Sequence, residues 1–203
     1  MAKIKSVKQL RRLYKPALGR SVDKELDALD QHCRKFISLS PFVAIGTQGV
    51  DGLGDVAPRG EEPCVAKVLD NRTVLIPDRP GNNRLDNYMN IIENPKVSLL
   101  FLIPGVNETL RINGLGEIRD DEEFLKMFAI DAKRPVTVLQ VTVRQTYLHC
   151  AKALMRSKLW APHAIVDRMV LPTMGQMIND QTNSKDPVES QADMESRYEK
   201  VLY

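Results

Sequence analysis

The spacing of apolar residues changes along this chain. From Ser21 to Ser38 they recur every three or four positions, and Pro41 follows this stretch. This period predicts a single amphipathic helix, with Ser21 as its N-cap. Three short β-type runs separated by turn residues come next: Phe42–Thr47, Val65–Leu69 and Thr73–Ile76. They predict strands joined at hairpin spacing.

The rest of the chain contains longer β-type segments and short helical ones. The predicted strands are Val97–Ile103, Thr109–Ile118 and Val136–Leu148. The predicted helices are Asn83–Glu93, Asp120–Ile130, Cys150–Leu159 and, after a polar linker from Gln181, Met194–Leu202. The strand Val97–Ile103 is almost wholly apolar, so we expect it to be buried on both faces. Six or seven strands without βαβ units predict a mainly β fold with flanking helices, a small antiparallel barrel.

Composition excludes several classes of partner. Of the 203 residues, 43% are hydrophobic and 27% charged, which is typical of a soluble globular protein. No apolar run approaches the roughly 20 residues that a membrane-spanning helix needs, so we expect no membrane partner. The net charge of +3 is too small to favour non-specific nucleic-acid binding. An oligonucleotide-binding barrel is a weaker alternative, because only 5% of residues are aromatic.

Cysteine and histidine spacing argues against disulfides and metal sites. Cys33, Cys64 and Cys150 form no Cys-x-x-Cys pair, and the three histidines are scattered. We therefore predict no metal and a cytoplasmic location. The first 22 residues contain seven Lys and Arg residues and no acid. This resembles a transit peptide more than a secretory signal, but the scarcity of serine favours a solvated basic helix.

The segment Leu75–Leu85 is the first candidate for chemistry. It ends a predicted strand, turns at Pro80-Gly81 and opens a predicted helix with asparagines and arginines. A helix N-terminus has unpaired backbone N–H groups and partial positive charge, so Arg79 and Arg84 favour binding of a phosphate there. The alternative is an ordinary turn with an asparagine N-cap, in which Arg79 pairs with Asp78 on the surface.

Two further segments place polar side chains on one face. In the predicted strand 108–113, Thr109, Arg111 and Asn113 share one face, which is either a polar groove or plain solvent-exposed surface. In the following helix, Lys152, Arg156 and Trp160 step by four residues. That stripe suits a bound anion, but a solvated surface, or a tryptophan packed in the core or in a dimer, explains it as well.

Several of these segments together resemble the pyridoxamine 5'-phosphate oxidase-like flavoproteins, which are FMN-binding split barrels. The resemblance extends from about Leu39 to Trp160, and five runs of sequence carry it: Ser40–Thr47, Gly54–Gly60, Leu75–Leu85, Glu93–Pro95 and Gly105–Gly114. It implies a six- to seven-stranded antiparallel split β-barrel of the FMN-binding type. It also implies a homodimer with FMN at the subunit interface.

The resemblance also implies roles for residues of this chain. Arg59, in the run Pro58-Arg59-Gly60, would approach the flavin or its tail, and Thr109 with Arg111 would face its ring or phosphate. Asn83 and Arg84 would hold the phosphate. The candidate cofactor-binding residues are Arg59, Asp78, Arg79, Asn83, Arg84, Thr109, Arg111, Lys152, Arg156, Ser157 and Trp160. The last four would come from the opposite protomer.

The activity implied is that of an FMN-dependent oxidoreductase acting on an unidentified small molecule. The C-terminal Arg-x-His element of the vitamin B6 oxidases is missing, so oxidation of pyridoxamine phosphate itself is doubtful. No catalytic side chain is assigned. The alternative is a non-catalytic protein that binds, stores or senses flavin or a related cofactor. We expect a helical segment at 1–38, the flavin-binding barrel at 39–160 and a helical and polar tail at 161–203.

Overall fold

A computed structural model of the chain describes residues 3–131 and 133–202. Its seven strands are β1 (Phe42–Gln48), β2 (Gly54–Gly60), β3 (Lys67–Val68), β4 (Thr73–Asp78), β5 (Lys96–Leu102), β6 (Thr109–Arg119) and β7 (Thr137–His149). The α-helices are α1 (Val7–Leu13), α2 (Arg20–Asp23), α3 (Gln31–Ser38), α4 (Asp86–Glu93), α5 (Glu122–Met127), α6 (Lys152–Ser157), α7 (Met174–Thr182) and α8 (Gln191–Glu199). Two short 3₁₀ turns lie between α6 and α7.

The strands form one sheet with the order β2-β1-β5-β6-β7-β4-β3, and every pair in it is antiparallel. This confirms the predicted mainly β split barrel with flanking helices. Alternation along each strand divides the sheet into an inward and an outward face. On β6, Leu110 and Ile112 are completely buried, whereas Arg111 is exposed. The core therefore lies on the inward face, where α4 packs against β1 and β6.

The predicted helix over 21–38 is wrong in its extent. The chain forms the short α2, then an extended segment, and only then α3, whose N-cap is Asp30 rather than Ser21. Between the helices, Leu26 exchanges two backbone hydrogen bonds with Thr146 of β7, at 2.9 and 2.8 Å. Pairing with the sheet satisfies backbone groups that the helix would otherwise have satisfied, so tertiary contact overrides the helical period.

The apolar strand β5 is not buried on both faces. Its side chains alternate, with Val97, Leu99 and Phe101 in the core and Leu100 39% exposed on the outward face. An apolar run is typical of a doubly covered strand, but the described chain leaves this face open. The segment Gly54–Gly60, which lies outside the predicted strands, forms the edge strand β2.

The ends of the chain follow the prediction in outline. Helix α1 is exposed along its whole length, as expected for a solvated basic helix. Helix α7 was not predicted, and α8 begins and ends a few residues before the predicted terminal helix. Within residues 3–131 and 133–202, no helix is both long and apolar enough to cross a bilayer.

Candidate functional site

The turn after β4 has an unusual backbone. Asn83 and Leu85 both have a φ of 57°, in the left-handed region. Asparagine tolerates this conformation, but for leucine it is strained. Leu85 is consequently the N-cap, so helix α4 begins at Asp86 and the predicted start at Asn83 is wrong. The asparagine side chains do not cap the helix, and Asn82 Oδ1 instead accepts from the backbone N–H of Arg84 at 3.1 Å.

Arg79 points away from this turn into the protein. Its guanidinium donates two hydrogen bonds of 2.7 Å to the carboxylate of Glu61 and one of 2.8 Å to the carbonyl oxygen of Phe128. Both side chains of the pair are only 9% exposed. The alternative pairing of Arg79 with Asp78 on the surface is therefore wrong. Arg79 therefore links the turn to the C-terminal end of α5.

Asp78 pairs instead with Arg59 of β2, at 3.2 Å between carboxylate and guanidinium. Arg59 also lies over the ring of Tyr88 in α4, 5.5 Å from the ring centre. The Arg59 Nε and the Tyr88 hydroxyl are both buried without a hydrogen-bond partner among the described residues. Such orphaned groups are costly unless something satisfies them. Burial and the nearby Asp78 carboxylate raise the pKa of Tyr88, which keeps its phenol neutral.

Arg84 lies at the mouth of α4 and faces solvent. Its Nε donates to Asp86 at 2.7 Å, and its side chain is 73% exposed. The adjacent carboxylate of Asp86 raises the pKa of the guanidinium, which is charged in any case. An exposed pair of this kind contributes little to stability, so Arg84 is available to an incoming anion.

One turn further along α4, Asn87 ties the helix to the β1–β2 hairpin. Its Nδ2 donates to Thr47 Oγ1 at 2.8 Å and to Asp55 Oδ2 at 2.7 Å. Because Asn87 is 2% exposed, these bonds fix α4 rigidly against the sheet. Because Asp55 and Arg59 lie on the same strand, these bonds connect the first turn of α4 to β2.

On β6, Thr109, Arg111 and Asn113 share the outward face, as predicted. Arg111 is exposed and lies over the ring of Tyr147, 5.7 Å from its centre. Thr109 is 5% exposed, so its hydroxyl is not open on the surface of one chain. Asn113 joins a hydrogen-bond ladder, accepting from Ser98 Oγ at 2.8 Å and donating to Gln145.

The predicted stripe of Lys152, Arg156 and Trp160 does not form on one helix. Helix α6 ends at Ser157, because Lys158 takes a left-handed conformation with a φ of 53°. Trp160 lies beyond it, and its Nε1 donates to the carbonyl oxygen of Val106 at 2.9 Å. Arg156 donates to the Lys152 carbonyl and Ser157 to that of Leu154, so both bonds stay within α6.

Within one chain, then, the predicted residues fall into two groups. Arg59 and Asp78 meet beside α4, with Arg84 and Asn83 on the adjoining turn. Arg111 and α6 lie elsewhere. Arg59 on β2 pairs with Val43 on β1, and Val43 pairs with Phe101 on β5. Phe101 pairs in turn with Leu110 on β6, the neighbour of Arg111. Three strand spacings of about 4.8 Å each therefore separate Arg59 from Arg111. Arg59 and Arg111 also extend from opposite faces of the sheet.

The sequence did not point to Arg144. Between Asn113 and Gly114 the pairing of β6 with β7 shifts by one residue, and Arg144 is the extra residue of this bulge. Two consecutive polar residues, Arg144 and Gln145, interrupt the alternation of β7 and were the available signal. Arg144 lines a cleft of about 730 Å³ on the outward face.

Comparison with known proteins assigns the chain to a family. The sequence model described as pyridoxamine 5'-phosphate oxidase matches residues 29–150, more than half of the chain. The chain belongs to the pyridoxamine 5'-phosphate oxidase family. This match includes β1 to β7 and the turn that leads to α4. No curated protein matches significantly.

Solved structures are similar to this chain at low sequence identity. A point variant of HupZ from Group A Streptococcus has a TM-score of 0.50 and 17% identity, over 59% of this chain and 98% of that one. A general stress protein 26 relative from Clostridium acetobutylicum, of the pyridoxinephosphate oxidase family, has a TM-score of 0.44 and 16% identity, over 58% and 85%. An FMN-binding protein from Syntrophomonas wolfei has a TM-score of 0.45 and 13% identity, over 58% of this chain and 83% of that one.

Proposed function

We propose that this member of the pyridoxamine 5'-phosphate oxidase family is an FMN-dependent oxidoreductase that acts on a small molecule. The observation that carries the proposal is the convergence of Arg59 on the turn before α4. Arg59 comes from the edge strand β2, yet it contacts both Asp78 and Tyr88. The flavin-binding unit proposed is residues 39–160.

The residues present fit a phosphate-bearing cofactor. Arg59 has a buried Nε without a hydrogen-bond partner in the described chain, and an anionic oxygen would satisfy it. Arg84, on the turn that leads to α4, is held by an exposed pair with Asp86, which an incoming anion can replace at little cost. The strained turn at Leu85 is the kind of conformation that persists where a ligand is held. Bound FMN would supply hydride and electron transfer at its ring.

The two groups of predicted residues support a homodimer with FMN at the interface. Arg111 lies three strands away from Arg59 on the opposite face of the sheet. We assign Lys152, Arg156, Ser157 and Trp160 to the partner's side of the site. Three free cysteines are compatible with a cytoplasmic location.

Non-catalytic flavin binding is the second candidate, because the chain lacks the Arg-x-His substrate element of the vitamin B6 oxidases. Flavin chemistry does not require a base, so the two functions differ only in turnover. Reduction of the bound flavin by NADH or NADPH, with transfer to an acceptor over many cycles, would exclude the second candidate.

The first test is the visible absorbance of the purified protein with and without added FMN. We expect a flavin spectrum, and Arg84→Ala should weaken FMN binding about tenfold because one charge-assisted contact is lost. Arg134→Ala is the matched control, since Arg134 is also exposed and paired with an acid, Glu122. A protein that stays colourless after incubation with FMN would end the proposal. Equal affinity in the two variants would remove Arg84 from the site.

A further inference from the structure

Three cations on the outward face of the sheet differ from those around the turn. Lys96, Arg111 and Arg144 form no ion pair among the described residues, whereas Arg59, Arg79 and Arg84 each pair with a carboxylate. Arg111 rests on the ring of Tyr147. Lys96 and Arg144 line the cleft of about 730 Å³. Unpaired cations in a cleft are candidates for holding an anion.

The shape of this cleft depends on two glycines. A Cβ at Gly114 would lie 2.4 Å from the carbonyl oxygen of Thr142, so the close approach at the bulge requires glycine. That bulge turns Arg144 toward the cleft. At Gly46 a Cβ would meet the Cβ of Ser98 at 3.7 Å, an ordinary contact. Glycine therefore leaves room above β1 that a larger side chain would fill.

Polar groups along the cleft are already organised. Ser98, Asn113 and Gln145 form the hydrogen-bond ladder across β5, β6 and β7. Among the described residues, the lining contains one carboxylate, Asp55, whose Oδ2 accepts from Asn87 Nδ2 at 2.7 Å. With two cations, Lys96 and Arg144, and one hydrogen-bonded carboxylate, the lining of the cleft has a net positive charge. Val56 and Leu115 supply an apolar lining beside them.

We propose that this cleft binds a small organic anion, with its carboxylate or phosphate between Lys96 and Arg144 and its apolar body over Gly46. The site is distinct from the proposed flavin-phosphate site in its cations, which are Lys96 of β5 and Arg144 of β7 rather than Arg59 and Arg84. The inference therefore does not require the proposed function to be correct.

The test is a calorimetric titration of FMN-saturated protein with phenyl phosphate and with benzoate, which measures the affinity for each probe. We expect at least one of the probes to bind, Arg144→Gln to weaken it about tenfold and Lys96→Gln somewhat less. Gly46→Val should reduce binding through shape alone, since it leaves both charges in place. Arg134→Gln is the charge-matched control and should bind like the unchanged protein. Benzyl alcohol, which lacks the anion, should bind much more weakly than either anion.

The outcomes separate this site from the flavin site. Equal affinity in Arg144→Gln and Arg134→Gln, or no binding of either probe, would overturn the proposal. Loss of flavin together with the probe in Arg144→Gln would also overturn it, because the cleft would then be part of the flavin site. If the protein takes up no FMN, the same titration on the flavin-free chain still tests the cleft. Preference for phenyl phosphate or for benzoate identifies the anionic group.

Discussion

Arg79 and Arg84 are five positions apart in one turn, yet they occupy opposite environments. Arg79 is buried against Glu61 and the carbonyl of Phe128, whereas Arg84 extends into solvent beside Asp86. A buried guanidinium that lost its partner would carry a large desolvation cost, so it is fixed. An exposed one changes partner at little cost. The inner half of the turn therefore stabilises the fold, and the outer half is free to bind.

The largest effect expected from breaking this contrast concerns stability. Arg79→Met leaves Glu61 buried without its counter-charge, so we expect the free energy of unfolding to fall by about 3 kcal/mol. The double variant Arg79→Met/Glu61→Leu should recover most of that loss. Urea unfolding of the three proteins measures both values. A single variant as stable as the unchanged protein would show that the pair does not anchor the turn.

A smaller effect is expected at alkaline pH, through Tyr88. Its pKa in the folded protein lies above the ordinary value of 10.0, so the folded state holds this proton more tightly than the unfolded state does. The stability from the neutral phenol is complete below pH 10 and declines as the pH rises above it. Tyr88→Phe should therefore lose less stability between about pH 9 and pH 11.

The control for this experiment is Tyr14→Phe, because Tyr14 is 64% exposed. It should follow the unchanged protein across the same pH range in urea unfolding. A Tyr88→Phe curve parallel to that of the unchanged protein would contradict the assignment of a buried neutral phenol beside Arg59 and Asp78.

The smallest effect on stability is expected at Arg84. Arg84→Ala removes an exposed pair, so the midpoint of urea unfolding should not shift measurably, even though the same variant binds FMN less tightly. This would separate the binding half of the turn from the structural half. A midpoint shift as large as that of Arg79→Met would show that the two halves do not differ in this way.

Local patterns predicted much of the fold. The bounds predicted for the two longest strands are correct to within one residue at each end, because their alternation is strong and their turns are marked. Helix 21–38 was extended too far because the pairing of Leu26 with Thr146 joins residues 120 positions apart, which no local pattern contains. The predicted stripe ending at Trp160 is wrong for a related reason. Lys158 takes a left-handed conformation that ends the helix, and lysine gives no local indication of such a conformation.

The candidate site was predictable in composition but not in pairing. The motif around Leu75–Leu85 located the turn before α4, and Arg59 was named for the same site. Which arginine would be buried depended on Glu61 and Phe128, which approach only in the folded chain. Arg144 could not be predicted in the same way, because its direction is set by a bulge, and a bulge is a property of two paired strands.

By itself, the sequence determined the family, the antiparallel barrel and the residues that surround the opening of α4, because these depend on alternation, turn residues and motifs that lie close together along the chain. Only the tertiary structure decided which charged side chains are buried in ion pairs that stabilise the fold and which remain exposed and able to bind a ligand. That decision depends on burial, and burial is set by segments that are distant in sequence and adjacent in space.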